Sequence, residues 1–152
     1  MKREIKFRAW DKAKHRMLGV DQLAFGPNGE LVSIYSDGPD FSNDSEALMG
    51  DKPDLNEAVL IQFTGLHDKN GREIYEGDIL SFGSVWDNGD NEDIDEEIHI
   101  GVVEYDPHYA VYDVNCDGSG ERRFLFTDVF NYDGYGVIGN IFEDKQLLEV
   151  KQ

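Results

Sequence analysis

Short segments with a two-residue apolar period recur along the whole chain, and they limit the fold more than any other feature. In EIKFRAWD, the apolar Ile5, Phe7 and Ala9 fall on one face, and Lys6, Arg8 and Trp10 fall on the other. Such alternation is typical of a β-strand, because successive side chains point to opposite faces. Further segments of this kind are RMLGV, DQLAF, LVSIY, AVLIQFTG, EGDILSF, HIGVVEYD, YAVYDVN, RRFLFTDVF and YGVIGNIF.

The spacing of these segments predicts the fold class. Helices long enough to connect parallel strands are missing from the pattern, so we predict a mainly β (β-rich α+β) protein that contains a small barrel or sandwich. The polar connection at 36–56 predicts a boundary, with a β-rich subdomain at 1–57, a small antiparallel meander, and a β-barrel subdomain at 58–152. Within the connection, SEALMG could form one helical turn, and the final EDKQLLEV could be a short helix or an edge strand.

The charge of the chain is strongly acidic, with 14 Lys and Arg against 32 Asp and Glu, a net charge of −18. Such a surface repels phosphate backbones and anionic membranes, so we expect no direct nucleic-acid binding and no membrane binding. Seven basic residues nevertheless fall within the first sixteen positions. They suit head-to-tail self-association or docking on an acidic partner, although edge strands kept soluble by Lys and Arg are the simpler interpretation.

The compartment is predicted from two features. The sequence has no apolar run of signal-peptide or membrane-spanning length, which favours a cytoplasmic protein. Its single cysteine, Cys116, has no cysteine partner for a disulfide or a zinc knuckle. We interpret Cys116 as a buried small apolar residue, with a reactive thiol as the alternative.

Two acidic segments are candidate divalent-ion sites. The run Asp87 to Glu97 is dense in carboxylates but lacks calcium-loop spacing, so a solvated hairpin loop is favoured. The loop Asp113 to Glu121 matches better, because four of its residues occupy positions 1, 3, 5 and 6 of the calcium pattern, but Phe124 stands where the pattern requires Glu. The matching residues are Asp113, Asn115, Asp117 and Gly118. A strand with Tyr112, Val114 and Cys116 on its apolar face and the polar residues in water is the competing interpretation.

No catalytic motif is evident, and we therefore predict no catalytic, cofactor-binding or metal-binding residues and no enzyme activity. The four histidines are scattered without the spacing of a zinc site, and phosphate-binding and hydrolase motifs are missing. Five tyrosines could stack on single-stranded bases, but their acidic neighbours favour packing in the core or at a barrel rim. The histidines are His15, His67, His99 and His108, and the tyrosines are Tyr105, Tyr109, Tyr112, Tyr132 and Tyr135.

The segment FTGLHDKNGREIYEGDIL reads as strand, turn, strand and corner. Residues 68–71 offer a reversal in which Gly71 occupies the left-handed position. Gly77 permits a close backbone approach, and Asp78 can accept backbone amides. Near the end, Gly139 and Asn140 predict a bulge or corner in the last strand.

Three blocks together resemble the YopX family of small phage and prophage proteins: IKFRAWD followed by RM, then FTGLHDKNGREIYEGDIL, then VIGNIFED. The resemblance implies a phage or prophage protein, mostly of Gram-positive hosts, that works in the bacterial cytoplasm. It also implies an amino-terminal β-rich part and a carboxy-terminal SH3-like barrel. It brings no established activity and no catalytic residues.

Three hypotheses for function follow. The first is a non-enzymatic accessory protein that acts through protein contacts with an unidentified host or phage protein, and that forms a homo-oligomer through strand edges or its basic amino-terminal strand. The second is an acidic decoy that mimics DNA and occupies a host nucleic-acid-binding protein. The third is a metal-dependent enzyme, which would need a bound ion.

Overall fold

The fold is known from a computed structural model, which describes residues 4–36, 52–86, 95–116, 122–124 and 135–149. Almost all regular structure in these residues is extended. The strands are β1 (Phe7–Asp11), β2 (Arg16–Phe25), β3 (Leu31–Ser36), β4 (Ala58–His67), β5 (Glu73–Tyr75), β6 (Asp78–Trp86), β7 (Asp95–Asp106), β8 (Val111–Cys116), β9 (Arg122–Phe124) and β10 (Gly136–Asn140). A four-residue helix, α1 (Gln146–Glu149), lies in the final segment that was predicted as helix or edge strand.

The strands form two antiparallel sheets, which confirms the mainly β prediction. The first sheet has the order β3-β2-β1-β4-β5, and the second has the order β10-β6-β7-β8-β9. The contacts of the chain divide it into two compact units, Met1–Phe63 (unit 1) and Thr64–Gln152 (unit 2), so that the division falls within β4. The domain assignment of 1–57 and 58–152 stays a prediction, because a compact unit is not by itself an independently folding domain.

Unit 1 begins with the predicted antiparallel meander, β1-β2-β3. The strand β1 lies inside the sheet, with β2 on one side and β4 on the other. Ala9, Trp10 and Asp11 are all buried, so both faces of β1 are covered at its end. The interpretation of the basic first segment as an edge strand was wrong, because both backbone edges of β1 are paired.

The reversal between β2 and β3 lies at Gly26-Pro27-Asn28-Gly29. Gly29 has a φ of 82°, and its amide donates to the carbonyl of Gly26 at 3.1 Å. Glycine adopts this left-handed conformation without the steric penalty of a Cβ atom, which explains the residue type. The hairpin ends in exposed apolar side chains, Phe25 on β2 and Val32 on β3.

Unit 2 contains one hydrophobic core. Buried members are Ile74, Leu80, Phe82, Val103, Val114, Cys116 and Tyr135, and Leu66, Tyr112 and Val137 pack against them. Cys116 is buried in this core, as predicted. The strands β6 to β9 are consecutive hairpin-connected neighbours, and β10 returns to lie beside β6, the Greek-key type of order.

The strands β6 to β10 of unit 2 form an open sheet with β10 at one edge and β9 at the other. A closed barrel is not seen in this part of the chain, so the expected barrel is supported only as an antiparallel sheet. The predicted bulge is present, because the pairing of β10 with β6 shifts register between Val137 and Gly139. This shift leaves Ile138 exposed while its neighbours are buried or half-buried.

Some predictions fall outside the described residues: the SEALMG turn, the acidic segment 87–94, residues 117–121 and Tyr132. The last part of the acidic run is described. Asp95, Glu96 and Glu97 belong to β7 and pair with Trp86, Val85 and Ser84 of β6, so the hairpin strands extend into the predicted loop.

Candidate interaction surface

The central turn of unit 2 is organised by the buried carboxylate of Asp68. Its Oδ1 accepts the amides of Asn70 at 2.9 Å and Arg72 at 2.8 Å, and its Oδ2 accepts the amide of Val137 at 3.0 Å. The first two bonds close the turn itself, whereas the third joins the turn to β10, 69 residues further along the chain. The turn predicted from the sequence is therefore also a tie between distant strands.

These hydrogen bonds decide the pKa of Asp68. Burial raises the pKa of the carboxyl, but donation from the amides of Val137, Arg72 and Asn70, together with the positive charge of Arg72, outweighs it. The net result is a pKa below its ordinary value of 3.8. Asp68 is thus ionised at neutral pH, and its charge is used within the protein.

The corner at Gly77 joins three strands of unit 2. Gly77 has a φ of 81°, and its amide donates to the carbonyl of Val103 in β7 at 2.8 Å. Its carbonyl accepts the amide of Ile141, just after β10, at 2.9 Å. The next residue, Asp78, is buried and accepts the amide of Tyr75 at 2.8 Å, as its predicted role requires. This segment is a structural joint of the fold.

The hairpin of β7 and β8 carries a set of aromatic side chains that leave the core. The rings of Tyr105 and Tyr112 lie opposite one another on the two strands, with centroids 5.5 Å apart in an edge-to-face arrangement. Tyr105 is 48% exposed, and Tyr109, in the turn of the same hairpin, is 61% exposed. Tyr135 is buried in the core and Tyr112 is half-buried, as expected, whereas Tyr105 packs on Tyr112 with its ring partly exposed and Tyr109 is exposed in the turn.

Two carboxylates accompany these rings. The hydroxyl of Tyr112 donates to Oε1 of Glu76 at 3.3 Å, which links the hairpin to the corner before Gly77. In the hairpin turn, Oδ1 of Asp106 accepts the amide of His108 at 2.9 Å, and the His108 ring meets that of Tyr109 edge-on at 4.6 Å. We call the set of Glu76, Tyr105, Asp106, Tyr109 and Tyr112 the tyrosine surface.

Sequence reasoning named these tyrosines but did not place them at a surface. A signal for the exposure of Tyr109 was available in the sequence. In the turn from Asp106 to Ala110, Pro107 follows Asp106, which can accept backbone amides, and the side chains of such a turn point into solvent. Alternation could not separate Tyr105 from the core, because Tyr105 continues the buried face of Val103. Only the end of the core beneath it explains the exposure.

The described part of the calcium-like segment, residues 113–116, belongs to β8. Asp113 lies in β8, paired with Glu104 of β7 and Phe124 of β9, and it is 0% exposed. The prediction that its side chain faces water was wrong, whereas the burial of Val114 and Cys116 confirms the strand interpretation. Asn115 donates through Nδ2 to Oε1 of Glu104 at 3.4 Å. Within the described ranges, no group of three or more His, Cys, Asp or Glu side chains is placed to hold a metal ion.

The four histidines lie on separate elements, and three of them contact aromatic rings. His15, in the β1–β2 turn with a φ of 53°, meets Trp10 edge-on, and His99 stacks on Phe82. His67 is exposed at the end of β4. In the part of the chain that the structure covers, no helix is long and apolar enough to cross a membrane.

Comparison with known proteins identifies a family and a similar solved structure. The crystal structure of protein EF1440 from Enterococcus faecalis is similar to this chain, with a TM-score of 0.57 and 28% sequence identity over 97% of this chain and 99% of that one. No curated protein matches the sequence significantly. The sequence matches the family described as YopX protein over residues 6–149, which include both the Asp68 turn and the tyrosine surface. The chain belongs to the YopX family.

Proposed function

We propose that this protein is a non-enzymatic accessory protein, encoded by a phage or prophage, that acts by binding another protein through the tyrosine surface. The observation that carries the proposal is the exposure of two large aromatic side chains, Tyr105 and Tyr109, at the end of one hairpin. Tyrosine is enriched among the residues that dominate binding at protein interfaces, because it covers a large area and loses little rotamer freedom.

The position of the rings supports binding. Tyr105 lies on the same face of β7 as the buried Val103, so it is held from one side by Tyr112 while its other side meets solvent. An anchored ring has already lost part of its conformational freedom, and a partner that covers it gains apolar contact at little further entropic cost. Burying such a ring contributes about 1–2 kcal/mol to association, since roughly half its area is already covered.

The setting and assembly of the protein are also proposals. Its single cysteine and its family support action in the bacterial cytoplasm, on a host or phage protein. A homo-oligomer would not form through the backbone of β1, which is paired on both sides, but the edge strand β3 with its exposed Val32 suits one. An SH3-like architecture for unit 2 is supported by the return of β10 beside β6.

Site-specific photo-crosslinking in bacteria that carry the phage or prophage tests the binding role. A photoreactive phenylalanine analogue at position 109 should give a discrete adduct with a second protein. The matched control is the same analogue at the equally exposed Phe25 in unit 1, which should not give that adduct. The same pattern from both positions, or no adduct from position 109, would refute the role of this surface.

An acidic decoy of a host nucleic-acid-binding protein is the second candidate, favoured by the charge of unit 2. This unit has six Lys and Arg against 21 Asp and Glu, a formal charge of −15. Such a decoy should compete with DNA for its target in a salt-dependent manner, because it replaces the phosphate charges. If the double variant Tyr105→Ala with Tyr109→Ala competes with DNA as well as the wild type does, the result favours the decoy over binding through the tyrosine surface. No feature of the described residues favours a metal-dependent enzyme.

A further inference from the structure

The charge of the chain is divided unevenly between its two units. Unit 1 carries eight Lys and Arg against 11 Asp and Glu, a formal charge of −3, whereas unit 2 carries −15. The tyrosine surface lies in the acidic unit, so a cationic molecule that approaches it meets an attractive field at long range. This field does not determine where on unit 2 a cation binds, because it acts over the whole unit. The binding position depends on the local chemistry of the rings.

The tyrosine surface combines the two features that recognise a cationic side chain. The faces of Tyr105 and Tyr109 can hold a guanidinium or ammonium group, because aromatic rings attract cations through their quadrupole. The carboxylate of Glu76 accepts the hydroxyl of Tyr112, whose ring packs on that of Tyr105, and Asp106 belongs to the hairpin turn that carries Tyr109. A carboxylate has about four acceptor positions, so a donor from within the chain leaves capacity for an arriving Arg.

We propose that the occupant of the tyrosine surface is an arginine- or lysine-bearing segment of a different protein, held by stacking on Tyr105 and Tyr109 and by ion pairs with Glu76 and Asp106. This inference rests on the proposed function and adds the chemistry of the partner. Arginine is the better fit of the two cations, because its planar group stacks on a ring and bonds a carboxylate at once.

Two other occupants are disfavoured by charge. A second copy of this chain could offer its basic β1–β2 turn, but its net charge of −18 makes it a weaker occupant than a cationic segment. A single-stranded nucleic acid would find rings for base stacking, but it meets carboxylates where such sites place basic side chains. A foreign cationic segment satisfies both the rings and the charge.

Fluorescence anisotropy with a labelled peptide of alternating Arg and Gly measures this binding directly. The full-length wild type should bind the peptide, and the double variant Tyr105→Ala with Tyr109→Ala should bind about 5- to 30-fold more weakly, although its net charge is unchanged. The control is Phe25→Ala with Val32→Ala, which removes two exposed apolar side chains from unit 1 and should leave the affinity unchanged. Equal affinity of the tyrosine variant and the wild type would overturn the proposal.

A charge-matched pair keeps the test decisive if the tyrosine variant loses its fold. Glu76→Gln should weaken binding several-fold, whereas Glu57→Gln, an exposed acid of unit 1, changes the net charge equally and should have little effect. Equal losses from both substitutions would mean non-specific attraction and would overturn the site. A labelled oligothymidine that binds in a tyrosine-dependent way, or self-association that the tyrosine variant abolishes, would also overturn the proposed occupant.

The peptide assay and the crosslinking experiment fail independently. Suppose that position 109 gives an adduct with a protein that has no basic segment and that the peptide does not bind. This result would refute the cationic occupant but would still support protein binding through the tyrosine surface. Peptide binding that requires the tyrosines, without any adduct in cells, would mean that the surface binds cations. It would also mean that the surface is not the binding site for a protein partner in the cell.

Discussion

Replacement of Gly77 by alanine should destabilise the protein more than the same replacement of Gly71. Both glycines have positive φ angles, 81° and 84°, so a Cβ atom costs each of them the same left-handed strain of about 1–2 kcal/mol. The surroundings differ. A Cβ atom on Gly71 has no atom within 4 Å, whereas a Cβ atom on Gly77 would lie 2.9 Å from Cε2 of Phe142 and 3.4 Å from Cγ1 of Ile141.

The extra cost at Gly77 is overpacking of the corner. Relief of such contacts by side-chain or backbone shifts typically costs about 1–3 kcal/mol. We therefore expect Gly71→Ala to lower the free energy of unfolding by about 1–2 kcal/mol and Gly77→Ala by about 2–5 kcal/mol. Valine at either position should cost more than alanine, because a β-branched residue fits positive φ worst.

Thermal unfolding followed by circular dichroism measures the difference. Gly77→Ala should melt roughly 2–12 °C below Gly71→Ala, given about 2–4 °C per kcal/mol for a chain of this size. A double-mutant cycle with Phe142→Ala isolates the cause, since removal of the ring should recover part of the Gly77→Ala loss and none of the Gly71→Ala loss. Equal melting temperatures for the two glycine variants would refute the steric argument.

Three further predictions concern the buried groups of unit 2. Asp68→Asn should cost about 1.5–3 kcal/mol at neutral pH, because the amide places a donor against one of three backbone donors. The pKa of Asp68 in the folded protein is below its ordinary 3.8, so the unfolded chain takes up the proton first as the pH falls. The difference in free energy of unfolding between the wild type and Asp68→Asn should therefore be full well above pH 3.8 and shrink as the pH falls through the folded pKa. Urea titrations at several pH values measure this difference, and a value that stays constant down to about pH 2 would contradict the argument. Gly101→Ala should destabilise by about 1–3 kcal/mol, because the new Cβ atom would approach Cγ1 of Val114, and a stability equal to the wild type in the same titration would count against the packing. Cys116 should react slowly with a thiol reagent in the native protein and rapidly in denaturant, and fast native labelling would show that it is not buried.

Local sequence signals predicted the secondary structure well. Alternation located the strands, because it records which side chains a strand can bury. Gly71 and Gly77 marked turns, because positive φ excludes most other residues. The bulge near Gly139 was also visible. The closed barrel was not supported, since strand closure depends on partners far apart in the sequence, which alternation does not encode.

The candidate surface required more than pattern. Tyr105 and Val103 share one face of β7, yet one is exposed and the other is in the core, because the core ends between them. Asp113 alternates with apolar residues like a solvent-facing residue, yet the sheet buries it completely. In both cases the burial depends on which strands lie alongside, a property of the assembled sheet.

By itself, the sequence determined the β class, the antiparallel meander, the principal turns, the acidic charge and the family, since each depends on local residue order or on composition. The tertiary structure decided that β1 is an interior strand, that the carboxylate of Asp68 reaches Val137, and that the hydroxyl of Tyr112 reaches Glu76. These facts join residues tens of positions apart. Burial and long-range hydrogen bonds are set by packing between strands, and so only the folded chain contains them.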